Sequence, residues 1–173
     1  MSMKIIGIII VIIASWGYGS GLIYRLQKHQ DQLFSLQELI GLFLGEIQYG
    51  KSPLQEACLQ IGNRLPEPYS NVLHNVSEEL SKKKYQSFEV VWREQFQLRK
   101  REFYLTEQEM AVLFGIGKNL GYLDVDAQIR HLQMYQMEAN QLLEQLQKTV
   151  KEKKKVYRSV SLMVGAMVIL LFV

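Results

Sequence analysis

The residues of this chain that could do chemistry are a small glycine cluster, three histidines and one cysteine. Gly115, Gly117 and Gly121 surround Lys118, and glycine-rich loops of this kind can cradle phosphate groups. The spacing is G-x-G-x-x-x-G and no strand-like run precedes it, so it fits neither the dinucleotide-binding fingerprint nor the P-loop. We therefore expect these glycines to allow close helix packing and to end a helix.

Metal and nucleophilic chemistry is no better supported by the sequence. The histidines His29, His74 and His131 are scattered, without the spacing of a zinc site. A single thiol, Cys58, cannot build a disulfide framework and is expected to be a small core residue. Acid pairs such as Glu78 and Glu79 fall at expected helix-surface positions. The sequence predicts no catalytic residue, no metal site and no cofactor.

Two uncharged apolar runs lie at the ends of the chain, at residues 5–24 and 159–173. As a helix, the first is about 30 Å long, which matches the hydrocarbon core of a bilayer. The second reaches about 27 Å if positions 156 and 157 extend it. We predict transmembrane helices in residues 1–24 and 159–173. A cleaved signal peptide is the alternative for the first run, but the absence of a polar segment before Tyr24 favours retention.

The distribution of basic residues predicts the orientation of these two spans. Lys4 is the only basic residue on the outer flanks, and the others all lie between the spans. By the positive-inside rule, residues 25–158 then face the cytoplasm and both termini lie outside. This middle region carries the other 19 of the 20 Lys and Arg and all 17 Asp and Glu, a balance that does not suit nucleic acid. The basic run 151–155 is better explained by attraction to anionic membrane lipids.

The middle region reads as helices throughout, which predicts an all-α fold. Helix starts are expected at Ser52 with Pro53 at the first helical position, at Ser87, at Thr106 with Glu109 in a capping box, and at Asp124. Helix ends are expected near Gly50, Gly62 and Gly121. The prolines of the segment 65–68 should interrupt the helical structure before a helix from about Tyr69 to Lys82.

Two apolar seams at helical spacing frame the domain. The first contains Leu26, Leu33, Leu36, Ile40, Phe43 and Ile47, and the second contains Val125, Ile129, Leu132, Ala139, Leu143, Leu146 and Val150. No proline or glycine interrupts the second seam before Gly165. We predict a cytoplasmic bundle of about six helices, whose first and last helices continue into the transmembrane segments.

Two stretches of the sequence resemble the signatures of the stage III sporulation protein AB family of endospore-forming Firmicutes. The first motif stretch is 46–57 and the second is 113–124; the segment 155–159 before the apolar tail fits as well, whereas Val160 and Ser161 stand where a leucine-glycine pair is expected. The candidate motif or interaction residues are Glu46, Tyr49, Gly50, Pro53, Leu54, Glu56, Ala57, Phe114, Gly115, Leu120, Gly121, Asp124, Tyr157 and Arg158.

This resemblance implies a six-helix domain similar to those of the type II secretion F family, which bind partners and do not catalyse. The implied place is the mother-cell membrane around the forespore, within the stage III A channel complex, where a secretion-type ATPase is the implied cytoplasmic partner. Homo-oligomers are possible. The alternative is a membrane-anchored helical scaffold that oligomerises without any coupling to an ATPase.

Overall fold

The computed structural model describes the backbone of residues 2–50, 52–82, 87–121 and 124–172, and the side chains of residues 24–50, 52–82, 87–118, 120–121 and 124–153. Within these residues the chain forms helices and no strand, which confirms the all-α prediction. The helices are α1 (Ser2–Tyr49), α2 (Leu54–Gly62), α3 (Tyr69–Lys82), α4 (Phe88–Leu98), a 3-10 turn (Lys100–Glu102), α5 (Glu107–Asn119) and α6 (Val125–Phe172).

The two long helices, α1 and α6, pack against each other in antiparallel directions. The amide of Gln37 donates to Oδ1 of Asn140 at 2.6 Å, and four residues further along α1 a Cβ at Gly41 would lie 3.7 Å from Nε2 of Gln136. Most of the two predicted seams lie in the core. The fully or nearly fully buried members are Leu33, Leu36, Ile40 and Phe43 on α1, and Leu132, Ala139, Leu143 and Val150 on α6.

The shorter helices complete the core around Trp92. Its ring lies 5.7 Å from that of Phe43, 5.5 Å from that of Phe88 and 4.6 Å from that of Phe96, and its Nε1 donates to the carbonyl of Leu113 at 2.9 Å. This indole is fully buried and has its polar atom satisfied, as buried tryptophans require. Trp92 therefore joins α1, α4 and α5 in one core.

Most of the predicted helix boundaries are confirmed. Ser87 caps α4 by accepting from the backbone N–H of Val90 at 3.3 Å. Thr106 and Glu109 form the reciprocal capping box at the start of α5. The side chain of Asp124 accepts from the N–H of Ala127 at 2.7 Å at the start of α6.

Three local predictions need correction. Pro53, with ψ at 150°, stands outside α2 as its cap residue without a side-chain hydrogen bond, so Ser52 is not the N-cap. Gly62 is not the C-cap: Asn63 is, and Gly62 is needed because a Cβ there would lie 2.7 Å from Cδ2 of His74. Val125 is 54% exposed, because the antiparallel register would place it opposite a point beyond the end of α1.

The two predicted transmembrane segments, 1–24 and 159–173, fall almost wholly on residues whose side chains lie outside the described part of the chain. Among the described residues, no helix combines the length and the apolar character needed to cross a membrane.

Candidate functional site

The two motif stretches meet at one end of the bundle, which we call the motif end. The first stretch spans the end of α1 and the start of α2, and the second spans the end of α5 and the connection to α6. The contact between them involves Leu54 and Gly121: a Cβ at Gly121 would lie 3.2 Å from Cδ1 of Leu54. These two residues are 67 positions apart in the chain, yet they pack together.

Gly121 has a conformation that other residues rarely adopt. Its φ is +89°, in the left-handed region where a Cβ is strained. The preceding residue, Leu120, is 1% exposed and anchors this turn in the core. α5 ends at Asn119 with the extended Leu120 as its C-cap, close to the predicted end, and the left-handed Gly121 then turns the chain toward α6.

Other motif residues fix the packing of this end. Ala57 is buried on α2, and a Cβ at Gly50 would lie 2.5 Å from the backbone oxygen of Glu46. A Cβ at Gly115 would lie 2.5 Å from the hydroxyl oxygen of Tyr135 on α6. These small residues allow backbone or side-chain approaches that a larger residue would block.

The remaining described motif residues lie at the surface. Tyr49 is 80% exposed at the last position of α1, and Pro53, Glu56 and Asp124 are exposed as well. Phe114 is partly buried on α5, where the guanidinium of Arg93 lies 5.7 Å from its ring centroid. The motif end therefore has a tightly packed interior, and its surface exposes an aromatic ring and carboxylates. Tyr157 and Arg158 fall among the residues whose side chains are not described.

Two buried ionisable groups in the described part of the chain have shifted pKa values. Burial raises the pKa of the Cys58 thiol, which keeps it in the protonated form that is a poor nucleophile. Burial, and after it the charge of Glu109, raises the pKa of Tyr69. Among the described residues, no group of three or more histidine, cysteine or acidic side chains is arranged to hold a metal ion.

A polar cluster that sequence reasoning missed lies nearer the other end of the bundle. Nε2 of His29 is 2.7 Å from Oε2 of Glu109, and Oε2 also accepts from the N–H of Thr106 at 2.6 Å. Close by, the Gln32 side chain donates to the carbonyl of Glu102 and accepts from the N–H of Tyr104. The capping box predicted Glu109 as a helix cap, but no local signal marks its partner 80 residues away.

Comparison with protein families shows which family this chain belongs to. The model of stage III sporulation protein AB matches residues 4–173. The chain belongs to this family. This assignment agrees with the resemblance carried by the two motif stretches.

Individual members of the stage III sporulation protein AB family agree with this assignment. The stage III sporulation protein AB of Bacillus subtilis (strain 168) is 23% identical over 169 residues, which cover 98% of each chain. A solved structure of a stage III sporulation protein AB is similar with a TM-score of 0.66 at 23% identity, and the match covers 72% of this chain and 97% of the other. At this level of identity, the structural likeness supports the shared helical fold alone.

Proposed function

We propose that this chain is a non-enzymatic membrane platform of the stage III A channel complex in sporulating cells, and that its motif end binds the secretion-type ATPase of that complex. In this proposal, residues 1–24 and 159–173 are the transmembrane helices and 25–158 is the cytoplasmic domain. The protein lies in the mother-cell membrane that surrounds the forespore. Family membership supports the sporulation setting.

The membrane placement is supported by the antiparallel register of the two long helices. Gln37 faces Asn140, and a step of four residues forward on α1 matches a step of four residues back on α6. Continued along both helices, this register would bring the apolar run 5–24 opposite residues 153–172, which include the second run from Ser159 onward. The two spans would thus leave the domain side by side from the end opposite to the motif end.

The observation that carries the proposed binding site is the contact between Leu54 and Gly121, which joins the two motif stretches into one surface. Tyr49 is exposed on this surface and lies 25 residues beyond Tyr24, so a straight helix would hold it about 37 Å from the membrane boundary. A partner in the cytoplasm could reach such a surface without competing with lipid. Exposed tyrosines are effective anchors of protein interfaces because a rigid ring and a hydroxyl contribute together.

The test is binding of the ATPase to the full-length chain in detergent, with Tyr49→Ala as the variant. Tyr104→Ala is the matched control, because Tyr104 is also exposed, at 40%, but lies beside Gln32 and away from the motif end. We expect Tyr49→Ala to weaken binding by roughly tenfold or more, as the loss of an interface anchor does, while Tyr104→Ala binds as the wild type. Equal binding by both variants would refute the proposed surface.

A scaffold that oligomerises without an ATPase is the alternative function. It predicts that no ATPase copurifies with the wild-type chain, although the protein remains required for spore formation. Full sporulation by a fragment of residues 25–158 alone would contradict both functions, since each depends on membrane anchoring.

A further inference from the structure

A surface groove runs along the membrane-side half of the bundle, between α1, α6 and the loop that precedes α3. It has a volume of about 370 Å³. Its principal lining residues are Asp31, Phe34 and Glu38 from α1, Pro66 from the loop, and Leu143 and Gln147 from α6. We call it the Phe34 groove.

The Phe34 groove offers an apolar contact beside negative charge. The Phe34 ring is 57% exposed although it lies next to the core residue Leu143. Asp31 and Glu38, one turn to either side of Phe34, are exposed and add two carboxylates. A fitting occupant therefore has an apolar side chain with a basic side chain next to it.

Such a feature is present on the chain itself, where α4 ends. Leu98 is 71% exposed, which makes it one of the most exposed large apolar residues described. It is followed by Arg99, Lys100 and Arg101; the first two pair with Glu102 and Glu107, at 3.4 Å and 2.8 Å. Arg101 is exposed, and no ion pair joins it to another of the described residues. We call residues 98–101 the Leu98 ridge.

The groove and the ridge lie at nearly the same level along α1 but on opposite sides of this helix. Gln32 of α1 points toward the ridge, because its side chain bonds the backbone of Glu102 and Tyr104 immediately after it. Phe34 is two residues further along α1, a rotation of about 200° and a rise of about 3 Å. The Phe34 groove thus faces away from the Leu98 ridge at nearly the same height.

We infer that the Leu98 ridge of one copy of this chain binds in the Phe34 groove of the next copy, with Leu98 against Phe34 and Arg101 near Asp31 and Glu38. The contact is head-to-tail, so it leaves a free groove and a free ridge at the ends of a dimer and can continue into a ring or a row. Copies anchored in one membrane share one orientation, and two surfaces at equal height then meet without tilting either bundle.

This inference rests on the membrane anchoring in the proposed function, so the test uses the full-length chain reconstituted in lipid bilayers. Two differently tagged chains are mixed, one with Glu38→Cys and the other with Arg101→Cys, and treated with a short thiol cross-linker. The native Cys58 is fully buried and contributes no competing thiol. We expect the mixture to yield several-fold more cross-linked dimer than either variant alone. Met137→Cys replaces Glu38→Cys in the control, because Met137 is 60% exposed on α6 but lies outside the groove.

A second measurement separates the contact from chance collisions. Phe34→Ser should weaken self-association by roughly tenfold or more, the effect of losing a central aromatic anchor, whereas Met137→Ser should not. Glu38→Arg or Arg101→Glu alone should reduce cross-linking between Gln147→Cys chains, with the thiol in the groove, and Gln97→Cys chains, with the thiol beside the ridge, and both changes in every chain should restore it. All these positions are exposed, so the fold is expected to survive, and a thermal melt verifies it.

The outcomes decide the inference independently of the ATPase. Dominant cross-linking of Glu38→Cys to itself would indicate a two-fold contact and overturn the head-to-tail arrangement. Equal loss with Phe34→Ser and Met137→Ser, or the same low yield in every mixture, would also overturn it. If self-association fails while Tyr49-dependent ATPase binding persists, this inference is wrong and the proposed function stands.

Discussion

His29 and Glu109 form a close pair between α1 and α5, with Nε2 of His29 at 2.7 Å and 2.9 Å from the two carboxylate oxygens. Glu109 is 3% exposed. Burial by itself would raise the pKa of Glu109, but the hydrogen bonds from His29 and Thr106 outweigh it and hold the pKa below its ordinary value of 4.5. The ionised carboxylate of Glu109 therefore stabilises the folded state.

The first prediction follows from this lowered pKa of Glu109. A carboxylate with a lower pKa in the folded state stabilises the fold above pH 4.5, and this contribution is lost as the pH falls through the folded-state pKa. Glu109→Gln should cost roughly 1.5–3 kcal/mol at neutral pH, and the difference from wild type should shrink below pH 4.5. Thermal unfolding of the full-length chain in detergent at pH 3 to 8 measures this.

Glu107→Gln is the matched control for this experiment. Glu107 begins the same helix but its side chain is 86% exposed, and its pair with Lys100 is worth less than about 1 kcal/mol. A cost of Glu109→Gln that is constant over the whole pH range would contradict the role of the charge.

The second prediction concerns the left-handed turn at Gly121. Gly121→Val should lower the free energy of unfolding by roughly 1 kcal/mol or more, because φ is +89° and Leu54 leaves little room for a side chain. Gly121→Asn should cost less, since asparagine tolerates this conformation better. Unchanged melting of Gly121→Val together with lost ATPase binding would show that Gly121 serves recognition and not the turn.

The third prediction concerns the approach of α5 to Trp92. A Cβ at Gly117 would overlap Cδ1 and Cγ of the indole, so Gly117→Ala should cost roughly 1–3 kcal/mol. In a Trp92→Leu background, the same substitution should cost much less, because the two residues are coupled. Gly45→Ala is the control: apart from the adjoining backbone of α1 and the two neighbouring residues, no atom lies within 4 Å of its Cβ position, and alanine there should be neutral or stabilising. Equal costs of Gly117→Ala in both backgrounds would disprove the coupling.

The fourth prediction tests the orientation in the membrane. The excess of lysine and arginine between the two apolar runs predicts that the bundle lies in the cytoplasm. A reporter that is active only in the cytoplasm should work when inserted near the exposed Pro66 and fail when fused after Val173. The reverse pattern would overturn both the orientation and the proposed access of the ATPase to the motif end.

Features determined by neighbouring residues could be predicted from the sequence, and features that depend on distant contacts could not. The caps at Ser87, Thr106 and Asp124 were predictable because each depends on a residue three positions away. The seam prediction was wrong at Val125, because whether a seam residue is covered depends on where the opposing helix ends.

The candidate site shows the same division. That a helix ends near Gly121 was predictable from the residue type. Its contact with Leu54 depends on how α2 packs against the end of α5, and no residue spacing in the sequence predicts this contact. The pair of His29 and Glu109 was missed for the same reason, because the sequence around a single histidine does not indicate a partner on another helix.

The antiparallel pair of α1 and α6 has a mechanical consequence for the proposed platform. The two 48-residue helices are continuous over their full lengths, so a force applied at the motif end meets no hinge along either of them. For a rod about 37 Å long outside the membrane, a sideways displacement of about 6 Å at the tip corresponds to a tilt of about 10° at the bilayer. A partner that pushes on the motif end would therefore use the helix pair as a lever. The push would rotate the paired spans within the bilayer.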